Sequence, residues 1–245
     1  MLFRSAVQAT LDSSRKLAAL GRLSAGIAHE VKNPLNAMMI HLELLKMQLR
    51  DAPDAAPHLH VITAQMRRLD EVVQGFLKFV RPEEVRLQPT ALGPLIQDLL
   101  PIVMAEGGKS DVDVRVEIPP HLPQVLADSG LLQQVFINLA LNACQAMPSG
   151  GRLRIAASSR SDGRVDVTFE DTGVGIAPED LEKIFNLYFT TKEHGSGIGL
   201  SMVYRIVQLH DGEITVESVR GKGTTFKVTL RKAGELGSRE AGIIA

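Results

Sequence analysis

Cysteine, charge imbalance and long apolar runs are what this chain of 245 residues has least of. A single cysteine, Cys144, excludes an internal disulfide and fits a reducing compartment. It falls inside an apolar helical run, where a buried and inert thiol is expected. Lysine and arginine number 27 against 28 aspartate and glutamate, so no global field points to nucleic acid or a membrane surface. No apolar run approaches the roughly 20 residues that a membrane-spanning helix needs. Met1-Leu2-Phe3-Arg4 has no secretory character, and the expectation is a cytoplasmic chain. Internal repeats and low-complexity tracts are also lacking. What remains is enough chain for one large domain or two ordinary ones with ample core.

Two segments obey different periods. In the first, Leu20, Ile27, Val31, Leu35, Met38, Leu42, Leu45 and Leu49 recur at helical spacing. Two prolines in Asp51–Pro57 break the pattern, which restarts with Leu59, Ile62, Met66, Leu69, Val73, Phe76 and Val80. Two such narrow seams joined by a short loop form a helical hairpin that cannot bury its own stripe. A second copy completes a four-helix bundle, which predicts a homodimer. Arg81-Pro82 ends the second helix, and residues 82–90 read as a linker. Beyond it the chain predicts helices near 91–106, 129–147 and 198–210, with strands at Val112–Ile118, Val125–Ala127, Leu153–Ser158, Val165–Glu170, Glu213–Ser218 and Thr224–Leu230. Without βαβ alternation this is an α+β sandwich, with helices on one face of a sheet, over 91–232. Residues 173–197 carry too many glycines and polar residues for a regular element. Residues 233–245 have no pattern and read as a disordered tail.

His29 lies two residues from both Ile27 and Val31, about 200° from the seam, and so points to water. Asn33 shares its face one turn on, Ala25 and Gly26 leave room a turn earlier, and Pro34 should bend the helix. Neutral imidazole is a competent nucleophile near neutral pH. The neighbouring Glu30 can accept the other ring proton, and Asn33 can orient a water. Taken alone, His-Glu-x-x-Asn on a helix is common surface decoration, and it lacks the second histidine of a zincin. No transition-metal site is expected; His58 and His60 read as solvated.

A histidine that accepts phosphate needs a nucleotide site, and the second segment offers one. Asn138 and Asn142 project from one face of an apolar helix, either as satisfied buried amides or as neutral ligands for magnesium and phosphate. Asp171 ends a strand and is followed by Thr172-Gly173-Val174-Gly175, where a carboxylate can bind an adenine amino group and glycines permit close backbone approach. Gly195-Ser196-Gly197-Ile198-Gly199-Leu200 opens a helix whose free amides can cradle phosphates. Other nucleotide motifs fail: Val103 stands where a P-loop ending in Gly108-Lys109-Ser110 would need glycine, and the His-Arg-Asp and Asp-Phe-Gly motifs are absent.

These boxes, in this order, resemble the catalytic core of two-component sensor histidine kinases over about residues 13–232. Ser24–Leu35 matches the phosphoacceptor box and Asn138–Ala143 the asparagine box. Asp171–Gly175, Gly195–Leu200 and Gly221–Phe226 are similar to the glycine boxes, and Phe185–Lys192 to the phenylalanine box and lid. The resemblance implies an entry segment (1–16), a dimerisation and phosphotransfer hairpin (17–81), a linker (82–90) and an ATP-binding sandwich of the Bergerat type (91–232). It implies His29 as phosphoacceptor, Glu30 as its base and Asn33 in a reverse phosphatase step. In the nucleotide site it implies Asn142 as Mg²⁺ ligand and Asp171 as adenine contact, aided by Thr224. Asn138, Gly173, Gly175, Gly195, Gly197 and Gly199 complete the expected ATP site. Gln145 departs from many members, which carry a basic residue there, and phosphate contacts are expected to shift to Lys192 and His194. The lid and asparagine box resemble the nitrogen-regulatory branch. The expected partner is a response-regulator receiver domain, and the chain could be the cytoplasmic part of a larger membrane-associated sensor. A scaffold with a degenerate ATP fold is disfavoured by the intact boxes. An ATP-driven clamp is disfavoured because residues 129–147 hold no glutamate to activate water.

Overall fold

In the computed structural model, residues 33–49, 55–80, 85–192, 195 and 197–234 are described. Helix α1 runs over 33–48 and α2 over Ala56–Val80. Leu35 and Leu42, two turns apart, are buried within this hairpin, while Met38, Leu45, Leu49, Ile62 and Leu69 remain exposed. The apolar seam is therefore only half covered by a single chain.

The second compact unit takes in residues from Glu84 to Phe185 and from Leu200 onward; Asn186–Gly199 groups with the hairpin. Its elements are β1 (Gln88–Thr90), α3 (Leu92–Gly107), β2 (Val112–Glu117), β3 (Val125–Ala127), α4 (Ser129–Gln145), β4 (Gly151–Ser159), β5 (Arg164–Asp171), α5 (Gly199–Leu209), β6 (Glu213–Val219) and β7 (Gly223–Arg231). The expected helices and strands fall at these places within a residue or two. Residues 88–90 differ: read as linker, they form β1, antiparallel to β3. Thr90 is buried and its hydroxyl donates to the Ala127 carbonyl at 3.0 Å, while Pro89 is tolerated because this two-stranded sheet consists of edges only.

The main sheet has the order β2-β4-β5-β7-β6. It is antiparallel except for β2 and β4, which pair in parallel across the connection that carries β3 and α4. This parallel crossover departs from the layout read without βαβ alternation. Alternation fixes which face is covered: Leu153, Ile155 and Ala157 of β4, Val165, Val167 and Phe169 of β5, and Phe226, Val228 and Leu230 of β7 are all buried. Helix α4 meets that face through Leu132, Val135, Phe136, Leu139, Ala140, Ala143 and Cys144, at steps of three and four. Phe136 and Phe169 pack in a tilted arrangement with centroids 5.5 Å apart. Full burial of such rings stabilises by about 1.5–3 kcal/mol each. Cys144 is buried as expected, and burial raises its thiol pKa.

Candidate functional site

The helix that carries the two asparagines is fixed at its start. Asp128 caps α4 by accepting the N–H groups of Gly130 and Leu131 at 3.1 and 3.2 Å, and its other oxygen accepts Arg86 N–H at 3.1 Å. Burial opposes the charge on Asp128, but these three donors outweigh it and hold the carboxyl below its ordinary value. The Asp128 N–H donates to Nε2 of the buried His210 at 2.9 Å, while His210 Nδ1 lies 2.7 Å from the Ile206 carbonyl. An accepting Nε2 requires the proton on Nδ1, so this imidazole ties the start of α4 to the end of α5. Arg86, Asp128 and His210 are positioning residues that the sequence reading missed.

Asn138, Asn142 and Ala146 follow at intervals of four and run down one stripe of α4. Both asparagines are half-buried. Asn138 Nδ2 donates to the Gln134 carbonyl at 2.9 Å, which turns its amide oxygen away from that bond. Below them the helix ends against the loop that follows β5: Val174 N–H donates to the Ala146 carbonyl at 2.9 Å. A Cβ on Gly173 would collide with that same carbonyl, so only glycine lets the loop approach the helix this closely. Gly175 adopts φ +67°, a conformation in which a side chain would be strained and would strike the Val219 carbonyl.

Asp171 is the polar end of the inward-facing row of β5. It is only 6% exposed. Its Oδ1 accepts two backbone N–H groups, from Gly173 at 2.9 Å and Thr224 at 3.2 Å. No enclosed side-chain oxygen among the described residues lacks a partner, so Oδ2, which takes neither bond, reaches the surface as an acceptor. Burial raises the Asp171 pKa, and the two N–H donors work against that rise. Thr224 is buried on the neighbouring strand directly opposite Asp171. Ser218, also missed in the sequence, bridges the two sides of the loop: its Oγ accepts Ile176 N–H at 2.8 Å and donates to the Gly223 carbonyl at 2.9 Å. A signal was present, since Ser218 follows Ile214 and Val216 at the inward parity of β6 and is the one polar residue of that row.

Asp171, Gly173, Gly175 and Thr224 thus gather where the end of α4 meets the ends of β5 and β7, with Asn142 and Asn138 one and two turns back along the helix from Ala146. Phe185 anchors the next stretch by packing on Tyr204 and Phe226, with centroids 5.5 and 6.5 Å away. The segment beyond closes on itself. Tyr188 N–H donates to the Gly197 carbonyl at 2.9 Å, Gly195 N–H to the Lys192 carbonyl at 3.2 Å, and Lys192 N–H to Thr190 Oγ1 at 3.1 Å. Gly199 opens α5. Asn33 opens the described part of α1 with an exposed side chain; His29, Glu30 and His194 lie outside the described residues, as does the bend expected before Pro34. Among the described residues no cluster of histidine, cysteine and carboxylates could hold a metal by itself, and no helix is long and apolar enough to cross a membrane. The 233–245 tail also falls outside them from residue 235 onward.

A buried carboxylate beside a glycine loop that meets the end of an asparagine helix has relatives. Residues 19–85 match the His Kinase A (phospho-acceptor) domain, and residues 127–234 match the histidine kinase-, DNA gyrase B- and HSP90-like ATPase family. Together these are the two domains of a sensor histidine kinase catalytic core, in that order. The signal transduction histidine-protein kinase AtoS of Escherichia coli is 37% identical over 227 residues, covering 93% of this chain and 37% of AtoS. Full-length ShkA, solved with AMPPNP, superposes with a TM-score of 0.72 at 25% identity, over 87% of this chain and 46% of ShkA. The histidine kinase ThkA in complex with the response regulator TrrA superposes with a TM-score of 0.66 at 28% identity, over 91% of this chain and 65% of that one. The chain spans half or less of the length of the curated relatives it matches.

Proposed function

We propose that this chain is the catalytic core of a sensor histidine kinase that phosphorylates its own His29 from ATP and passes the group to an aspartate of a response-regulator receiver domain. The observation that carries the reading is the Asp171 carboxylate. One oxygen is saturated by backbone donors and the other is left as an acceptor beside a glycine loop, in a chain that also carries the phosphoacceptor family upstream. Such an acceptor suits the exocyclic amine of adenine. The relatives support it, since ShkA was solved with an ATP analogue and ThkA with a response regulator.

Residues 17–81 serve as the dimerisation and phosphotransfer domain, 91–232 as the ATP-binding domain and 82–90 as the hinge between them. The half-covered seam of the hairpin, with Leu45, Ile62 and Leu69 exposed in one chain, supports a homodimer. Asn142, with Asn138 beside it, offers amide oxygens that fit Mg²⁺, a hard ion that keeps several waters and takes its remaining oxygens from phosphates. When bound, the ion neutralises phosphate charge. Gly173 and Gly175 let the loop backbone approach the base, Thr224 stands next to Asp171, and Lys192, His194, Gly195, Gly197 and Gly199 receive the phosphates.

The transfer itself needs positioning more than covalent help from the protein. An unprotonated ring nitrogen of His29 attacks the γ-phosphorus, the bond from that phosphorus to the bridging oxygen breaks, and ADP leaves with the electron pair. Glu30 accepts the proton of the other ring nitrogen as positive charge develops on the imidazole. The receiver aspartate then attacks the phosphohistidine and the imidazole leaves. Asn33, exposed and four residues after His29 in the sequence, orients the water that hydrolyses the regulator's acyl phosphate. Labelling with γ-phosphate-tagged ATP tests the reading directly. Wild type should carry an acid-labile, alkali-stable label and His29→Gln none; label retained by His29→Gln would refute the assignment.

A further inference from the structure

Asp128 stands where the linker, α4 and the end of α5 meet. Its backbone is fully engaged: the N–H donates to His210 Nε2 at 2.9 Å, and the carbonyl accepts Leu132 N–H at 2.9 Å as the first bond of α4. Its carboxylate divides its oxygens. Oδ1 caps α4 through Gly130 and Leu131, while Oδ2 accepts Arg86 N–H at 3.1 Å. The ladder between β1 and β3 ends with Gln88 opposite Ala127. One residue on, β3 has turned into α4 and the Asp128 carbonyl is taken, so the side chain supplies the acceptor that a longer strand would have offered. Arg86 thus carries the attachment of the linker two residues beyond β1, toward the hairpin. Helix α2 ends at Val80, so the stretch from α2 to the first attached residue is 81–85; without the Asp128 bond it is 81–87.

We propose that Asp128 is a positioning residue for phosphoryl transfer: its Oδ2 fastens the linker at Arg86, which shortens and directs the tether on which the ATP domain reaches His29. The proposal rests on the kinase reading above and narrows its 82–90 hinge to the residues before Arg86. Cap and tether are separable, because each uses a different oxygen. Freeing Arg86 lengthens the tether from 81–85 to 81–87, and effective concentration falls roughly as the −3/2 power of length, a loss of about 1.7-fold. The bond also fixes a direction, and giving up a geometry held by one exposed bond to a charged acceptor costs up to about tenfold.

The test measures, in the full 245-residue chain, the initial rate of labelling from γ-phosphate-tagged ATP at saturating nucleotide, with ATP affinity titrated separately. Asp128→Ser keeps one oxygen to cap α4 and has none left for Arg86. Arg86→Pro removes the donor and leaves Asp128 intact, whereas Arg86→Ala keeps the N–H. Asp128→Ser and Arg86→Pro should each lower the rate about two- to tenfold at unchanged ATP affinity, and Arg86→Ala should match wild type. An unchanged or raised rate in either of the first two overturns the proposal. So does ATP affinity lost along with the rate, since Asp128 would then act through the asparagine helix. A loss in Arg86→Ala equal to that in Arg86→Pro would put the effect in the guanidinium and overturn it as well. Should Asp128→Ser fail to fold, Arg86→Pro decides by itself. Wild type that takes no label would instead sink the kinase reading, and this role for Asp128 with it.

Discussion

Replacing Asp171 by asparagine separates the fold from the chemistry at this position. Asparagine keeps an Oδ1 to accept the Gly173 and Thr224 N–H groups now bonded at 2.9 and 3.2 Å. It changes Oδ2 from an acceptor into an NH₂ donor. Burial opposes the carboxylate charge, so the nucleotide-free fold gives up nothing by losing it, and the melting temperature should stay the same or rise slightly. Binding should behave differently. A hydrogen bond to a charged acceptor is worth about 1.5–3 kcal/mol, and facing two donors against each other leaves both unmet for about 1–3 kcal/mol more. The sum, about 2.5–6 kcal/mol, corresponds to an ATP affinity lower by about seventyfold to a few ten-thousandfold. Calorimetric titration gives the affinity, circular dichroism the melt and light scattering the dimer. Unchanged affinity would remove Asp171 from base recognition. A melt lowered by many degrees alongside the lost affinity would make its role structural.

The raised Asp171 pKa sets a pH dependence of opposite sign for fold and ligand. Its neutral form favours the nucleotide-free domain below the folded pKa, a contribution lost as pH rises through that value. ATP needs the carboxylate, so the ratio of affinities for ATP and inosine triphosphate, which cancels titration of the triphosphate, should fall as pH is lowered toward the raised Asp171 pKa; a flat ratio would contradict the assignment. Asn33→Ala should impair dephosphorylation of a cognate regulator by about tenfold or more while sparing autophosphorylation, the two rates being read from the same labelled protein. Equal loss of both would merge the two roles. Leu45 and Ile62 are 44% and 47% exposed on a lone hairpin, so Leu45→Glu or Ile62→Glu should give monomers by light scattering with ATP affinity retained. A persistent dimer would move the interface elsewhere.

The amino-acid sequence alone determined the kinds of element and the chemistry they carry. Helix and strand periods are local, so α4 and the strands around it could be drawn from runs of a few residues, and the phosphoacceptor and glycine boxes announced themselves by their own order. Cys144 could be placed in the core because its neighbours are apolar at helical spacing. Tertiary structure decided which distant groups meet. Thr224 donates to Asp171 across 53 residues and Asp128 to His210 across 82, and no local pattern encodes either partner. The short strand β1 was illegible because three residues with a proline gain strand character only from pairing with β3. Parallel pairing of β2 with β4 depended on where α4 packs. Strand parity marked Ser218 as a polar residue in an inward row, but only register set it beside Thr224, because a hydroxyl's role follows from the neighbours that take its one proton and two lone pairs.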